Sequence, residues 1–194
     1  MRKKKPTTYF GVANIDALLE YPEHEHAGLL FTRVWAMPNH ETFKIKPIAF
    51  LLKRYVKPDQ LWIDPFAGAN SPAGITNDHN PEMPTTFHME ALEFSKKMTR
   101  KHVYDGVLFD PPYSFRQISE HYKHIGMKAT AWHTSMSFYE KVKSELCEKI
   151  QKGGYAISFG WNSNGFGKAR GFKIVEILMV AHGGSKNDTI VTGK

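Results

Sequence analysis

Residues 107–114, VLFDPPYS, place a carboxylate at the end of an apolar run and then fix the backbone behind it. Val107, Leu108 and Phe109 read as a buried strand, ended by Asp110 and followed by Pro111, Pro112 and Tyr113. An exocyclic amine on an aromatic ring is a poor nucleophile, because its lone pair is delocalised into the ring. It reacts as its nitrogen becomes more tetrahedral. A carboxylate accepting one N–H and a main-chain carbonyl accepting the other hold it in that state. Asp110 offers the first acceptor. The Pro111 carbonyl offers the second, since proline fixes φ and has no N–H to compete. Tyr113 can stack on the face of a base. A base reached this way leaves its duplex, at a cost of a few kcal/mol. The plain alternative for Asp-Pro-Pro-Tyr is a turn that terminates a strand.

Further acids fall at expected strand ends. Asp64, Pro65, Phe66, Ala67 and Gly68 read as a strand end feeding a tight glycine loop, where backbone can approach a ligand closely. The loop lacks the Lys-Ser/Thr of a phosphate cradle and the G-x-G-x-x-G of a dinucleotide site. An acid here suits a cationic ligand group. Asp78 closes the next strand and could accept hydroxyl hydrogens from a ribose. Glu90 could cap the pocket near a base amino group. Each acid alone reads equally as a solvated turn or a helix cap. Four together on one rim are hard to explain by packing, because buried carboxylates are costly without partners.

The elements that must position these residues follow from the apolar pattern. KPIAFLLKRYV predicts a helix with Ile48, Leu51, Leu52 and Tyr55 on one face and Pro47 in its first turn. Strands are predicted at 61–63, 74–78, 85–90 and 105–110, with a short helix over ALEFSKKM. Residues 135–152 predict the strongest helix, with Tyr139, Val142, Leu146 and Ile150 in phase and Gly153-Gly154 as its stop. YAISFGW predicts another strand, and the last 23 residues predict a hairpin around GGSKND. The stretch YPEHEHAGLLFTRVWAMPNHETF has no clean period and reads as a surface wrap. The sum is an α/β fold with a mainly parallel sheet and a C-terminal antiparallel hairpin. Ligands gather at the carboxyl ends of the strands in such sheets.

At 194 residues the chain suits one domain, 1–194, with residues 1–8 as a basic arm. The formal charge of +7 favours a polyanionic partner, nucleic acid first. No apolar run is long enough to span a bilayer, so no membrane partner is expected. The basic start MRKKKPTTYF has no apolar segment after it, which argues against a secretory signal. The single cysteine, Cys147, excludes an internal disulfide framework and fits a cytoplasmic location. It has no preceding proline and lies in an expected helix, so covalent thiolate attack on a base is disfavoured. EHEH at 23–26 and HYKH at 121–124 have ligand-like spacing but no third ligand at a telling distance, so no metal is expected. The sequence sets no oligomeric state.

With these residues in view, the chain resembles the S-adenosylmethionine-dependent amino-methyltransferases with a DPPY motif. The match is chiefly to DNA adenine-N6 enzymes, and more closely to a compact phage-type family of them. The segments that carry it are RVWAMPNHETFKIKPI, WIDPFAGANSPAGITND, HMEALEF, YDGVLFDPPYS, GGYAISFGWNSNGFGKARGF and AHGGSKNDTIV, which span most of residues 33–191. Only DPPY is strongly specific, and the order of the segments adds the rest. The resemblance implies a Rossmann-like methyltransferase fold, S-adenosyl-L-methionine as cofactor and double-stranded DNA as partner. It implies Asp110, Pro111, Pro112 and Tyr113 as the catalytic motif. Asp64, Pro65, Phe66, Ala67 and Gly68 would be the cofactor loop, Asp78 the ribose acid and Glu90 the acid near the adenine. Residues 42–48, with Lys46 and Pro47, would hold the methionyl end.

Two departures stand out. Nine residues between Gly68 and Asp78 are too few for the helix that usually follows the glycine loop, so part of the wall must be missing or come from 40–48. No separate target-recognition domain is expected within these residues either. The connection at 114–133, with Phe115 and Arg116, is the candidate nucleic-acid-facing lid, or else an ordinary helix and loop. Trp161, Asn162, Ser163 and Asn164 could shape a base pocket or simply turn the chain. The alternatives to adenine N6 are cytosine N4, a base in RNA, or a non-catalytic nucleic-acid-binding protein on a decayed methyltransferase fold.

Overall fold

The computed structural model describes residues 25–26, 28–99, 101–112, 136–183 and 189–193. Among the described residues, eight strands form one sheet: β1 (Glu25–His26), β2 (Leu29–Trp35), β3 (Trp62–Asp64), β4 (Ile75–Thr76), β5 (Tyr104–Phe109), β6 (Ile150–Gly160), β7 (Glu176–Ala181) and β8 (Thr189–Gly193). Their order is β1-β2-β7-β8-β6-β5-β3-β4. The pairs β2·β7, β6·β5, β5·β3 and β3·β4 are parallel, and β8 runs antiparallel between β6 and β7. The mainly parallel sheet and the closing β7–β8 hairpin are as the sequence predicts.

Three described helices flank the sheet: α1 (Lys46–Tyr55), α2 (Ala91–Lys97) and α3 (Met136–Cys147). Strand alternation divides the core in two. On one face Trp62, Leu108, Ile157, Leu178 and Val180 pack with Ile48, Leu51 and Leu52 of α1. On the other, Ile63, Val107, Phe109 and Ala156 pack with Phe94 of α2 and with Phe138, Val142 and Leu146 of α3. Gly106 belongs to the first face. A Cβ there would sit 2.4 Å from the Trp62 ring, so the largest fully buried side chain rests where only a glycine leaves room.

Three expectations are corrected. The stretch 21–43 does not merely wrap the surface, because seven of its residues form β2, in register with β7 from Leu30↔Glu176 to Trp35↔Ala181. Residues 85–90 do not form a strand, since only Phe87 bridges, in parallel, to Asn77. The third helix stops at Cys147 rather than 152, and Gly153-Gly154 lies inside β6. The reason is in the backbone: the Glu148 and Lys149 carbonyls accept from His102, Val103 and Tyr104, which draws the chain into the sheet. Pairing then jumps from Tyr104↔Ile150 to Gly106↔Tyr155, a bulge on β6. Gly153 takes φ +83° there, and a Cβ on Gly154 would come within 2.7 Å of the Asp105 carbonyl.

The strand order reverses at β3, which has β4 on one side and β5 on the other. The carboxyl ends of β3 and β5 therefore meet at the switch point of the sheet, where open α/β sheets bind their ligands.

Candidate active site at the switch point

Asp64, the last residue of β3, is wholly buried. Its Oδ1 accepts the Phe66 N–H at 2.9 Å and its Oδ2 accepts the Ser71 hydroxyl at 2.6 Å. The loop thus folds back over its own anchoring carboxylate. Burial pushes the Asp64 pKa up to about 7; these two hydrogen bonds oppose the rise, and the charges of Asp110 and Asp78 add to it. With no accessible surface, Asp64 shapes the loop and contributes its field rather than offering an oxygen to a ligand.

Asp78 holds the other side of the loop. Its Oδ2 accepts the Gly68 N–H at 3.1 Å and its Oδ1 accepts the Asn80 N–H at 2.8 Å. Gly68 needs its residue type: φ is +54°, and nothing lies within 4 Å of where its Cβ would be. Ala67 is buried and donates its N–H to the Asn77 carbonyl. The Asn77 amide donates to the Pro65 and Met89 carbonyls at 3.0 and 2.9 Å, while its Oδ1 accepts the Met89 N–H at 3.1 Å. One buried side chain therefore ties the glycine loop, β4 and the approach to α2 together. Neither Asn77 nor Ser71 stands out in the sequence, because each acts through partners distant along the chain or through the fold of the loop.

Between β3 and β4 the chain makes turns and no helix, as the short spacing requires. The 3-10 turn Thr42–Lys44 docks on that loop instead: the Asn70 amide donates to Glu41, and Lys44 pairs with Glu41 at 2.8 Å. The Lys44 ammonium beside it is the largest influence holding the Glu41 carboxyl below its usual range. Lys46 is exposed at the start of α1, with Pro47 buried behind it.

Asp110 follows β5 half-buried, Pro111 is buried and Pro112 is half-buried. The Pro112 carbonyl accepts the Tyr139 hydroxyl at 2.9 Å. Glu90 caps α2, its Oε1 accepting the Ala91 N–H at 3.2 Å, and its Oε2 lies 3.5 Å from His79 Nδ1. It is a helix cap rather than a strand end, yet its charge reaches Tyr139: burial first, then the Glu90 charge, raises that hydroxyl's pKa. Phe66 meets Phe109 edge-on at 5.3 Å and Tyr139 at 6.2 Å, so the glycine loop and the end of β5 share one aromatic wall. Trp161 is exposed just beyond β6 on the same rim, and Trp35 is exposed at the same end of β2. Tyr113, Phe115, Arg116, the basic arm and the 114–133 connection lie outside the described residues.

The structure thus brings Asp78 and Asp110 close enough to Asp64 for their charges to act on it, and Glu90 acts in the same way on Tyr139, the partner of the Pro112 carbonyl. Among the described residues no group of three or more His, Cys, Asp or Glu side chains is disposed to hold a metal ion. A cavity of about 410 Å³ between α2 and α3, lined by Lys96, Glu140 and Ser144, lies away from this rim. Among the described residues no helix is long and apolar enough to cross a membrane.

No family model matches the chain, and neither does any curated protein. A solved structure described as "putative methylase HI0767 from Haemophilus influenzae" aligns with 81% of this chain and 90% of its own, at 13% identity and a TM-score of 0.45. Similarity at that level leaves the functional reading to the site itself.

Proposed function

We propose that the chain transfers the methyl group of S-adenosylmethionine to the exocyclic amino nitrogen of a nucleobase, adenine N6 in DNA. The observation that carries this reading is the position of Asp110, Pro111 and Pro112, at the end of β5 and beside the glycine loop of β3, where the strand order reverses. The donor set fits the cofactor. Asp78 and Asp110 place carboxylates on the rim, which suits a sulfonium and an ammonium group, and Gly68 leaves open space where a side chain would stand. Asp78 and Glu90 would face the ribose and the adenine, and the docked turn at 42–44 would close the methionyl end.

The cofactor, when bound, supplies a methyl group already activated by positive sulfur. Asp110 accepts one amine N–H, and the Pro111 carbonyl accepts the other. The nitrogen lone pair is thereby freed from the ring and aimed at the methyl carbon. As the new N–C bond formed, the bond from the methyl carbon to sulfur would break and leave a neutral thioether, and the excess proton on nitrogen would pass through the Asp110 carboxylate to water. The net charge of +7, with Trp35 and Trp161 exposed at 54% and 48% on the same rim, supports a nucleic-acid partner whose phosphates meet basic side chains and whose bases stack on aromatic rings.

A second reading is favoured by one feature, the helix-free loop between β3 and β4. It would make the chain a nucleic-acid-binding module that takes up no cofactor. Titration calorimetry with S-adenosylmethionine separates the two. Saturable heat, abolished by substitution of the Gly68 position with valine, supports the enzyme; absence of heat with retained DNA binding supports the module.

A further inference from the structure

We propose that Tyr139 is a positioning residue for the 110–112 turn, its hydroxyl fixing the direction of the Pro112 carbonyl and tying the turn to α3. The inference rests on the reading of Asp110 and Pro111 as the amine's acceptors. Proline locks φ at Pro111 and at Pro112. Asp110 and Pro111 each precede a proline, so their ψ angles are confined to extended values. The remaining soft dihedral of the turn is ψ of Pro112, which swings the Pro112 carbonyl. Neither proline has an N–H, so the main chain of residues 111–112 can be anchored only through its carbonyl oxygens. Pro111's carbonyl is wanted by the amine. Pro112's is held by Tyr139 at 2.9 Å.

The donor is itself packed among aromatic rings. Tyr139 lies on α3, one residue from the buried Phe138, and its ring stands edge-on to Phe66, Phe109 and Phe138 at 6.2, 6.4 and 5.5 Å. Its hydroxyl is protonated, and therefore a donor, throughout the neutral range, and burial raises its pKa further. Because Phe66 belongs to the glycine loop and Phe109 to β5, one side chain references the amine's acceptors and the cofactor's loop to the same point. The sequence shows Tyr139 only as an apolar helix position, since its partner lies 27 residues earlier.

The test uses Tyr139→Phe and Tyr139→Ala in the full chain. Phe keeps the ring and removes only the donor. We expect its unfolding midpoint and its affinity for S-adenosylmethionine, by calorimetry, to stay near wild type. Its kcat for DNA methylation should fall about 10- to 100-fold, the scale of a small misplacement of reacting groups. The carbonyl carbon resonance of labelled Pro112 should also move with loss of the hydrogen bond. Ala should lose stability as well. Packing alone would let Phe restore both stability and turnover; the proposal requires the two to separate. A Phe variant with kcat within twofold of wild type, or an unmoved Pro112 resonance, overturns this inference alone. Wild-type protein that transfers no methyl group overturns the reading of the site on which it rests.

Discussion

Replacing Asp64 with asparagine should stabilise the protein in a way that depends on pH. Folding takes the Asp64 carboxyl from an ordinary value of 3.8 to about 7, chiefly by burial. Between those values the folded protein keeps a proton that the unfolded chain has lost, so ∂ΔG/∂pH is negative. This contribution is complete below about pH 4 and disappears as pH rises to about 7. At about 1.4 kcal/mol per pH unit, the interval amounts to at most about 4 kcal/mol. Asparagine has the same shape, can still accept the Phe66 N–H, and can donate to Ser71 Oγ where aspartate accepted from it. Urea unfolding of both proteins, stepped from pH 4.5 to 7.5, gives the difference in ΔG at each pH. The variant should gain on wild type by a few kcal/mol across that range and then level off. A difference constant from pH 4.5 to 7.5 would refute the reasoning, since it would mean that Asp64 titrates as an exposed carboxyl.

Asn77→Ala should cost about 2–4 kcal/mol, because it leaves the Pro65 and Met89 main-chain groups unpaired, and chemical denaturation reads it directly. Gly106→Ala should lower the thermal midpoint by driving a methyl into the Trp62 ring, with a cost of about 1–3 kcal/mol or more. Arg54→Met should destabilise by about 3 kcal/mol, near the low end for a broken buried pair, since Glu176 is buried while Arg54 is half exposed; urea titration at neutral pH checks it.

The sheet was legible where strands are buried on both faces. Trp62, Ile63, Val107 and Leu108 are apolar runs that end in carboxylates, and both strands lie where the sequence puts them, to within a residue. β2 was not legible, because Phe31 and Trp35 break its alternation by placing exposed aromatic rings on the polar face, beside Arg33. The end of α3 was missed for a different reason. Ile150 is in helical phase, and only the long-range pairing of residues 102–104 with 148–150 pulls it into the sheet. In the site, residue type and strand-end position picked out Asp64, Asp78 and Asp110. Asn77, Ser71 and Tyr139 act through hydrogen bonds to main-chain or side-chain groups that come close only in the fold, and no local pattern marks such partners.

Incubation of wild-type protein and Asp110→Ala with S-adenosylmethionine and duplex DNA, followed by mass spectrometry of the released nucleosides, is the most direct test. The account predicts N6-methyladenine from wild type and none from Asp110→Ala, with both proteins binding the cofactor alike in calorimetry. A variant that still methylates at the wild-type rate would contradict it, as would a wild-type protein that binds cofactor and DNA yet leaves every base unmodified.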